Sequence, residues 1–64
     1  MPPSGKDVVR ELEKRGFVFR KGKGDHVVGR HADGRVTTVP MHKEIKTGTL
    51  KSIERQVGEK LDKS

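Results

Sequence analysis

Two segments rich in β-branched residues, joined by an Asp-Gly pair, constrain the fold of this chain more than any other feature. The segments are HVVGRH and RVTTVP, and Asp33 and Gly34 lie between them. An Asp-Gly pair in this position is typical of a tight β-hairpin, so the sequence predicts two antiparallel strands. A turn of those two residues gives a register in which Val28 pairs with Val39 and His31 pairs with Val36.

Helical segments with marked ends flank this β-rich region on both sides. In SGKDVVRELEKRG, Ser4 can cap the first helix, Asp7 can complete a capping box, and Gly16 can end it. In TGTLKSIERQVG, Thr47 is the expected cap of the second helix and Gly58 its end. Apolar residues recur with helical spacing in both segments, which favours one buried stripe on each helix.

In the segment GFVFR two aromatic residues are spaced two apart, which predicts a further strand with Phe17 and Phe19 on one face. The order is therefore α-β-β-β-α, an α+β fold in which two helices cover one face of a three-stranded antiparallel sheet. Double-stranded-RNA-binding domains share this order of elements. The predicted core consists of Val8, Val9, Leu12, Phe17, Phe19, Val28, Val36, Val39, Ile45, Leu50, Ile53 and Val57.

A chain of 64 residues has to share one thin core among all its elements. It contains no cysteine, so neither a disulfide nor a thiolate metal site can reinforce that core, and a cytoplasmic location is expected. No apolar run approaches the roughly 18 residues of a membrane span. We expect a single domain over residues 1–64, with an ordered core over about 4–58 and a frayed tail, EKLDKS.

The charge balance favours a polyanionic partner. Fifteen Lys and Arg residues against nine Asp and Glu residues give a formal net charge of +6. Such an excess on a small domain attracts nucleic acid, although surplus lysine can also serve solubility alone. A membrane surface fits less well, because neither predicted helix combines a basic face with aromatic anchors.

Several motifs, in order and at matching spacing, give the chain a family resemblance. They are S-G-K-x-V near the start, LEKRGF, the G-x-H motif at 24–26, RHADGR and VPMHKEIKTGTLKSI. From about residue 4 to residue 58 the chain resembles the HicA-type toxins of bacterial and archaeal toxin–antitoxin pairs. The resemblance implies a double-stranded-RNA-binding-like fold, ribosome-independent cleavage of mRNA, and neutralisation by a HicB-type antitoxin.

The resemblance also implies that His26, the histidine of the G-x-H motif, is the catalytic residue. The chain departs from the usual family pattern at two nearby positions. Asp25 stands where serine is usual, which changes the electrostatics around His26. Gly29 stands where an aromatic residue is frequent, which removes a possible platform for base stacking.

RNA can be cleaved without metal or cofactor because each phosphodiester lies beside an internal nucleophile, the 2′-hydroxyl. The reaction needs a base, an acid for the leaving oxygen, and positive charge around the phosphate. Histidine can serve either proton role, since its ordinary pKa is about 6.5. We therefore predict that His26 is the base. A second proton-transfer group is not evident, and a bound water or His26 acting twice would fill that role.

Basic residues and glycines near His26 can bind the phosphate, by charge and by close approach of the backbone. The predicted RNA-contacting residues are Arg20, Lys21, Lys23, Gly24, Arg30 and Lys51. At the start of the second helix, Gly48 and Thr49 belong to the family motif and make a possible phosphate seat with Lys51. An ordinary helix start with a solvated lysine explains these residues equally well.

Each histidine also has a purely structural interpretation. His26 can be a solvated strand residue, and because a regular strand puts it on the face of Val28, we expect it at the rim of the sheet or at a bulge. His31 is expected to be an exposed hairpin side chain. His42 is expected to be a structural hydrogen-bonding residue, with a substrate contact as the second interpretation. Three histidines without cysteine do not make a typical zinc-binding set, so no metal is expected.

The leading interpretation is a toxin that cleaves mRNA and is held inactive by an antitoxin covering His26. The alternatives are a non-catalytic nucleic-acid-binding module of the same fold and a plain protein-interaction domain. All three need neither a membrane nor a small-molecule cofactor.

Overall fold

The computed structural model describes residues 2–61, and its elements follow the predicted order. They are α1 (Gly5–Lys14), β1 (Val18–Lys21), β2 (His26–Arg30), β3 (Val36–Pro40) and α2 (Thr47–Val57). The strands form one antiparallel sheet in the order β1-β2-β3, and both helices contact β3. The predicted α+β fold is confirmed. Neither helix in this part of the chain is long and apolar enough to cross a membrane.

The start of α1 has the predicted capping box, whereas the start of α2 differs from the prediction. The Asp7 N–H donates to Ser4 Oγ at 3.1 Å, and the Ser4 N–H donates to Asp7 Oδ2 at 3.1 Å. The predicted Thr47 cap is wrong, because the backbone stays extended only as far as Lys46, which is the N-cap residue and has no side-chain cap bond. Gly58 ends α2 as predicted, at a φ of +72° that favours glycine.

The β2–β3 register differs by one residue from the predicted one, because the turn has three residues instead of two. The His31 N–H donates to the Arg35 carbonyl at 2.9 Å, and the Gly34 N–H donates to the His31 carbonyl at 2.9 Å. The Asp-Gly pair therefore fills the last two positions of a three-residue loop, with Gly34 at a φ of +101°. Consequently Arg30, and not His31, pairs with Val36.

The one-residue shift exchanges the faces of β2 relative to β3, since successive side chains point to opposite sides of a strand. Val27 lies opposite Val39 and packs against the core in the place predicted for Val28. The assignment of Val28 and Val36 to the core is wrong, and Val36 is 46% exposed. We call the sheet surface that these valines share the open face. Strand alternation puts on it Val18, Arg20, His26, Val28, Arg30, Val36 and Thr38.

The core lies between the other face of the sheet and the two helices. Its buried apolar residues are Val8, Leu12, Phe17, Val39, Ile45, Ile53, Val57 and Leu61. Leu61, in the segment that was expected to be frayed, is only 6% exposed, and its N–H donates to Glu54 Oε2 at 2.7 Å. The remainder of that tail, residues 62–64, lies outside the described residues.

Charged side chains tie the β2–β3 turn and the C-terminal segment to α1. The carboxylate of Glu59 pairs with Arg15 and, at 3.0 Å, with Arg35. The Arg35 guanidinium also donates to the Val57 carbonyl at 2.6 Å and lies 5.1 Å from the ring centroid of Phe17. Hydrogen bonds from Arg15 and then Arg35 lower the pKa of Glu59. We call these three charged residues the Glu59 clamp.

Candidate functional site

His26 begins β2, directly after the turn between β1 and β2. The Gly22 N–H donates to the His26 carbonyl at 2.9 Å, and the His26 N–H donates to the Lys23 carbonyl at 3.1 Å. Gly24 has a φ of +60°, a conformation that glycine adopts at little cost. The turn therefore fixes the backbone of His26, while its side chain is 47% exposed on the open face.

One carboxylate contacts two histidines at this end of the sheet. The Met41 N–H donates to the Asp25 carbonyl at 2.8 Å, which continues the β2–β3 pairing beyond the strands and brings His42 beside Asp25. His42 Nε2 lies 2.8 Å from Asp25 Oδ2 in a hydrogen bond. His26 Nδ1 lies 3.1 Å from Oδ1, the other oxygen of the same carboxylate. Since a carboxylate only accepts, the Nε2 atom of His42 carries the proton in its bond.

The hydrogen bond from His42 is the main cause that holds the pKa of Asp25 below its usual value. Partial desolvation opposes this effect, and the charges of His42 and His26 add to it. Asp25 is therefore ionised at neutral pH. A carboxylate beside an imidazole fixes the tautomer of the ring and stabilises the positive charge that the ring gains with a proton.

Both histidines line an open depression of about 490 Å³ between β3 and the start of α2. Its other lining residues are Thr38, Pro40, Glu44, Ile45, Lys46 and Thr49. Lys46 and the positive end of the α2 dipole favour an anion here, whereas Glu44 disfavours one. We call this depression, together with the Asp25 carboxylate that contacts both imidazoles, the two-histidine site.

Three of the predicted RNA-contacting residues lie in or beside the turn before His26, and a fourth, Arg30, lies at the far end of β2. Arg20 and Arg30 share the open face with His26, and Lys23 and Gly24 belong to the preceding turn. All three cationic side chains are in exposed residues, and within residues 2–61 none of them has an ion pair or a hydrogen-bond partner. Their charge is therefore available to a ligand.

The other predicted contact residues lie apart from this group. Lys21 pairs with Val27, so strand alternation puts it on the helix side of the sheet. Lys51 lies on α2 and lines a separate surface depression along that helix. Gly48 and Thr49 are in the first turn of α2, where Thr49 reaches the two-histidine site.

His31 has the structural role that was expected, but it is less exposed than expected. Its Nε2 atom lies 3.0 Å from the Arg15 carbonyl, and its Nδ1 atom accepts a hydrogen bond from the Asp33 N–H at 3.1 Å. The ring packs edge-on against Phe17, with centroids 5.1 Å apart, and its side chain is only 21% exposed. Because both ring nitrogens of His31 are hydrogen-bonded to backbone groups, neither is available to bind a substrate.

The suggested stacking role of position 29 is wrong. Gly29 is buried on the helix side of the sheet, opposite Phe19 on β1. A Cβ at this position would lie 2.5 Å from the Phe19 ring. An aromatic residue there would therefore enter the space filled by Phe19 and would not present a ring on the open face.

Sequence reasoning did not find the Asp25–His42 contact, although one signal pointed to it. In an antiparallel pair the residue before one strand lies beside the residue after its partner. The correct register therefore puts residue 25 next to residue 41, one step from His42. Within residues 2–61 no group of three or more His, Cys, Asp or Glu residues is arranged to hold a metal ion.

These features define a small basic α+β domain with an exposed histidine pair at one end of its sheet. A family model described as the HicA toxin of bacterial toxin–antitoxin matches residues 5–59. The chain therefore belongs to the HicA toxin family, and its role is that of a toxin whose partner is an antitoxin. A comparison with curated proteins found no match.

Proposed function

We propose that this toxin is a metal-independent endoribonuclease that cleaves mRNA, with His26 as the catalytic base. The observation that supports this proposal best is the setting of the His26 ring. It is 47% exposed, Asp25 lies beside its Nδ1 atom, and within residues 2–61 its Nε2 atom has no hydrogen-bond partner. An accessible ring nitrogen backed by a carboxylate is the arrangement that general-base catalysis uses.

The proposed reaction is an internal transesterification. His26 Nε2 takes the proton of a ribose 2′-hydroxyl, and the 2′-oxygen attacks the adjacent phosphorus. The bond from phosphorus to the 5′-oxygen then breaks, and this oxygen takes up a proton from an acid or from water. The products are a 2′,3′-cyclic phosphate on one fragment and a 5′-hydroxyl on the other.

Cationic side chains around His26 would bind the phosphate and stabilise the negative charge of the transition state. Arg20 and Lys23 are the best placed, since they are nearer to His26 than Arg30 at the far end of β2 and have no partner within residues 2–61. Lys21 and Lys51 would contact the RNA backbone farther from the reacting phosphate. Contacts of this type predict affinity that falls steeply as the salt concentration rises.

A HicB-type antitoxin is the proposed protein partner, and the open face is the surface it would cover. Val18 and Val36 are 63% and 46% exposed there, on either side of Arg30 on the neighbouring strands. Exposed apolar area next to the cationic side chains of Arg20 and Arg30 suits a partner that offers apolar and acidic side chains. An antitoxin bound there would block RNA from His26.

The test is incubation of the purified protein with a long RNA in excess EDTA, followed by analysis of the fragment ends. We expect fragments ending in cyclic phosphate, and a His26→Ala variant slower by about 10²- to 10⁴-fold. Lys14→Ala, which removes an exposed cation from α1 far from His26, serves as the control and should cleave normally. Undiminished cleavage by His26→Ala would contradict the assignment.

The same cationic open face also suits a second function, an RNA-binding module without turnover. Arg20 and Arg30 would bind an RNA backbone whether or not His26 reacts with it. A mobility shift of the RNA without any fragments, both with EDTA and with added divalent metal, would favour this function over the endoribonuclease.

A further inference from the structure

We propose that His42 is the second proton-transfer group of the reaction, the acid that protonates the leaving 5′-oxygen. This inference rests on the proposed endoribonuclease function. It gives a catalytic task to a side chain that sequence motifs alone suggested to be structural. It also makes Asp25 the residue that positions both imidazoles.

The shared carboxylate is the first observation behind the proposal. His42 Nε2 and His26 Nδ1 contact different oxygens of Asp25, at 2.8 and 3.1 Å. Each ring therefore has one nitrogen beside the carboxylate and one that has no hydrogen-bond partner within residues 2–61. The remaining nitrogens are Nδ1 of His42 and Nε2 of His26, one for each proton transfer.

The common depression is the second observation. His26 and His42 both line it, and Lys46 and Thr49 at the start of α2 lie on its border. A phosphate held there has an imidazole available for the attacking oxygen and another for the leaving oxygen. Imidazole is the side chain best suited to both transfers near neutral pH.

The backbone that carries His42 is fixed, as a positioned acid requires. The Gly5 N–H, at the start of α1, donates to the His42 carbonyl at 2.8 Å. On the same loop the Met41 N–H binds Asp25, and the Ile45 N–H donates to the Pro3 carbonyl at 2.7 Å. The packing is so close that a Cβ on Gly5 would meet backbone atoms of the loop.

The proton balance closes with two imidazoles. Before reaction His26 is neutral and His42 is protonated. His26 takes the 2′-proton as the new bond to phosphorus forms, and His42 gives its Nδ1 proton to the 5′-oxygen as the old bond breaks. The enzyme is left with a protonated His26 and a neutral His42, and exchange with solvent restores the starting state. Asp25 is beside the positive charge in both states.

The test compares substrates whose leaving atom is either the natural 5′-oxygen or a 5′-sulfur, because a thiolate leaves without help from an acid. We expect His42→Ala to cleave the oxygen substrate about 10²-fold or more slowly than the wild type. The same variant should cleave the sulfur substrate at nearly the wild-type rate. His26→Ala should be slow on both substrates, since each still needs the base.

His42→Gln extends the test to a variant that keeps a hydrogen-bond donor for Asp25 but cannot transfer a proton. It should show the same dependence on the leaving atom, and its thermal unfolding shows whether the fold is intact. Equal losses on both substrates, or wild-type activity of His42→Gln, would overturn the role of His42 as the acid. If the wild-type protein cleaves neither substrate, the endoribonuclease proposal itself fails.

Discussion

The two hairpin turns of this protein have similar sequences and opposite roles. The β1–β2 turn reads GKGDH over 22–26, and the β2–β3 turn reads HADGR over 31–35. Each contains an aspartate, a histidine and a glycine with positive φ, namely Gly24 and Gly34. Residue content alone therefore does not tell which turn is reactive.

The turns differ in what their polar side chains bind. In the β2–β3 turn the backbone occupies both nitrogens of His31, and Asp33 binds the side chain and the backbone N–H of Arg35. In the other turn the two oxygens of the Asp25 carboxylate contact the imidazoles of His42 and His26, and each of those rings keeps one nitrogen without a partner in residues 2–61. A histidine whose nitrogens are used by the fold is structural, and one that keeps a nitrogen open can react.

The two aspartates show the same contrast in their electrostatics. The pKa of Asp33 is lowered mainly by the backbone hydrogen bond of Arg35, with help from its guanidinium, which is always charged. The pKa of Asp25 is lowered mainly by the hydrogen bond from the imidazole of His42. Asp33 thus binds a permanently charged partner within its own turn, whereas Asp25 contacts two imidazoles.

Asp25→Asn should give the largest effect in this comparison. The amide keeps an oxygen for hydrogen bonding but loses the charge that stabilises a protonated ring, so we expect kcat to fall by at least about tenfold. KM for RNA should not rise, because a negative charge has been removed beside the phosphate. Steady-state cleavage at constant salt measures both parameters.

Asp33→Asn is the matched control for this experiment. It should lower the midpoint of thermal unfolding, because Asp33 orders its own turn, and it should leave kcat unchanged. Equal effects of the two substitutions on kcat would mean that the turns do not differ in the way described.

His31→Ala tests the structural side of the comparison. The variant loses the ring contact with Phe17 and two hydrogen bonds to the backbone, so we expect the free energy of unfolding to fall by about 1–2 kcal/mol. His26→Ala, at an exposed position, should stay within about 0.5 kcal/mol of the wild type. Chemical denaturation of both variants measures the difference, and a larger loss for His26→Ala would reverse the assignment of roles.

Alanine substitutions of the two turn glycines should have smaller effects. They should lower stability equally but affect RNA cleavage differently. Gly24 and Gly34 both have positive φ, and a Cβ on either would meet nothing within 4 Å. Alanine at each position should therefore cost only the backbone strain, about 1 kcal/mol. Gly24→Ala should also slow RNA cleavage because it disturbs the turn that positions Asp25, whereas Gly34→Ala should not.

Much of the fold could be predicted because its signals are local. The capping box of Ser4 and Asp7 and the glycine that ends α2 act within one helical turn, and the structure confirms them. The β2–β3 register was missed because an Asp-Gly pair fits two- and three-residue loops alike. This difference of one residue in the length of the loop decides which of Val27 and Val28 faces the helices.

The candidate site was less predictable because it depends on contacts between distant parts of the chain. His26 could be singled out from a short motif, but its link to His42 through Asp25 exists only when β2 and β3 pair in the observed register. The Glu59 clamp was missed for a similar reason. Its ion pairs join α1, the second turn and a segment after α2, and no local pattern connects these regions.

Glu59→Gln should give the smallest effect, because the ion pairs that it removes are partly exposed. The pKa of Glu59 is lower in the folded protein than the ordinary value of about 4.3, owing to Arg15 and Arg35. The contribution of Glu59 to stability is therefore fully present when the pH is above the ordinary pKa, and it is lost as the pH falls through the lowered pKa of the folded protein. The stability difference between wild type and Glu59→Gln should thus be constant near neutral pH and vanish in acid.

Thermal unfolding of both proteins between pH 2 and 7 measures this difference. Glu13→Gln is the control, since Glu13 is exposed on α1 and its side chain forms no ion pair or hydrogen bond within residues 2–61. It changes the net charge by the same amount, so it separates the clamp from a general charge effect. If Glu13→Gln gave the same pH profile, the ion pairs of Glu59 with Arg15 and Arg35 would not be the cause of the pH dependence of stability.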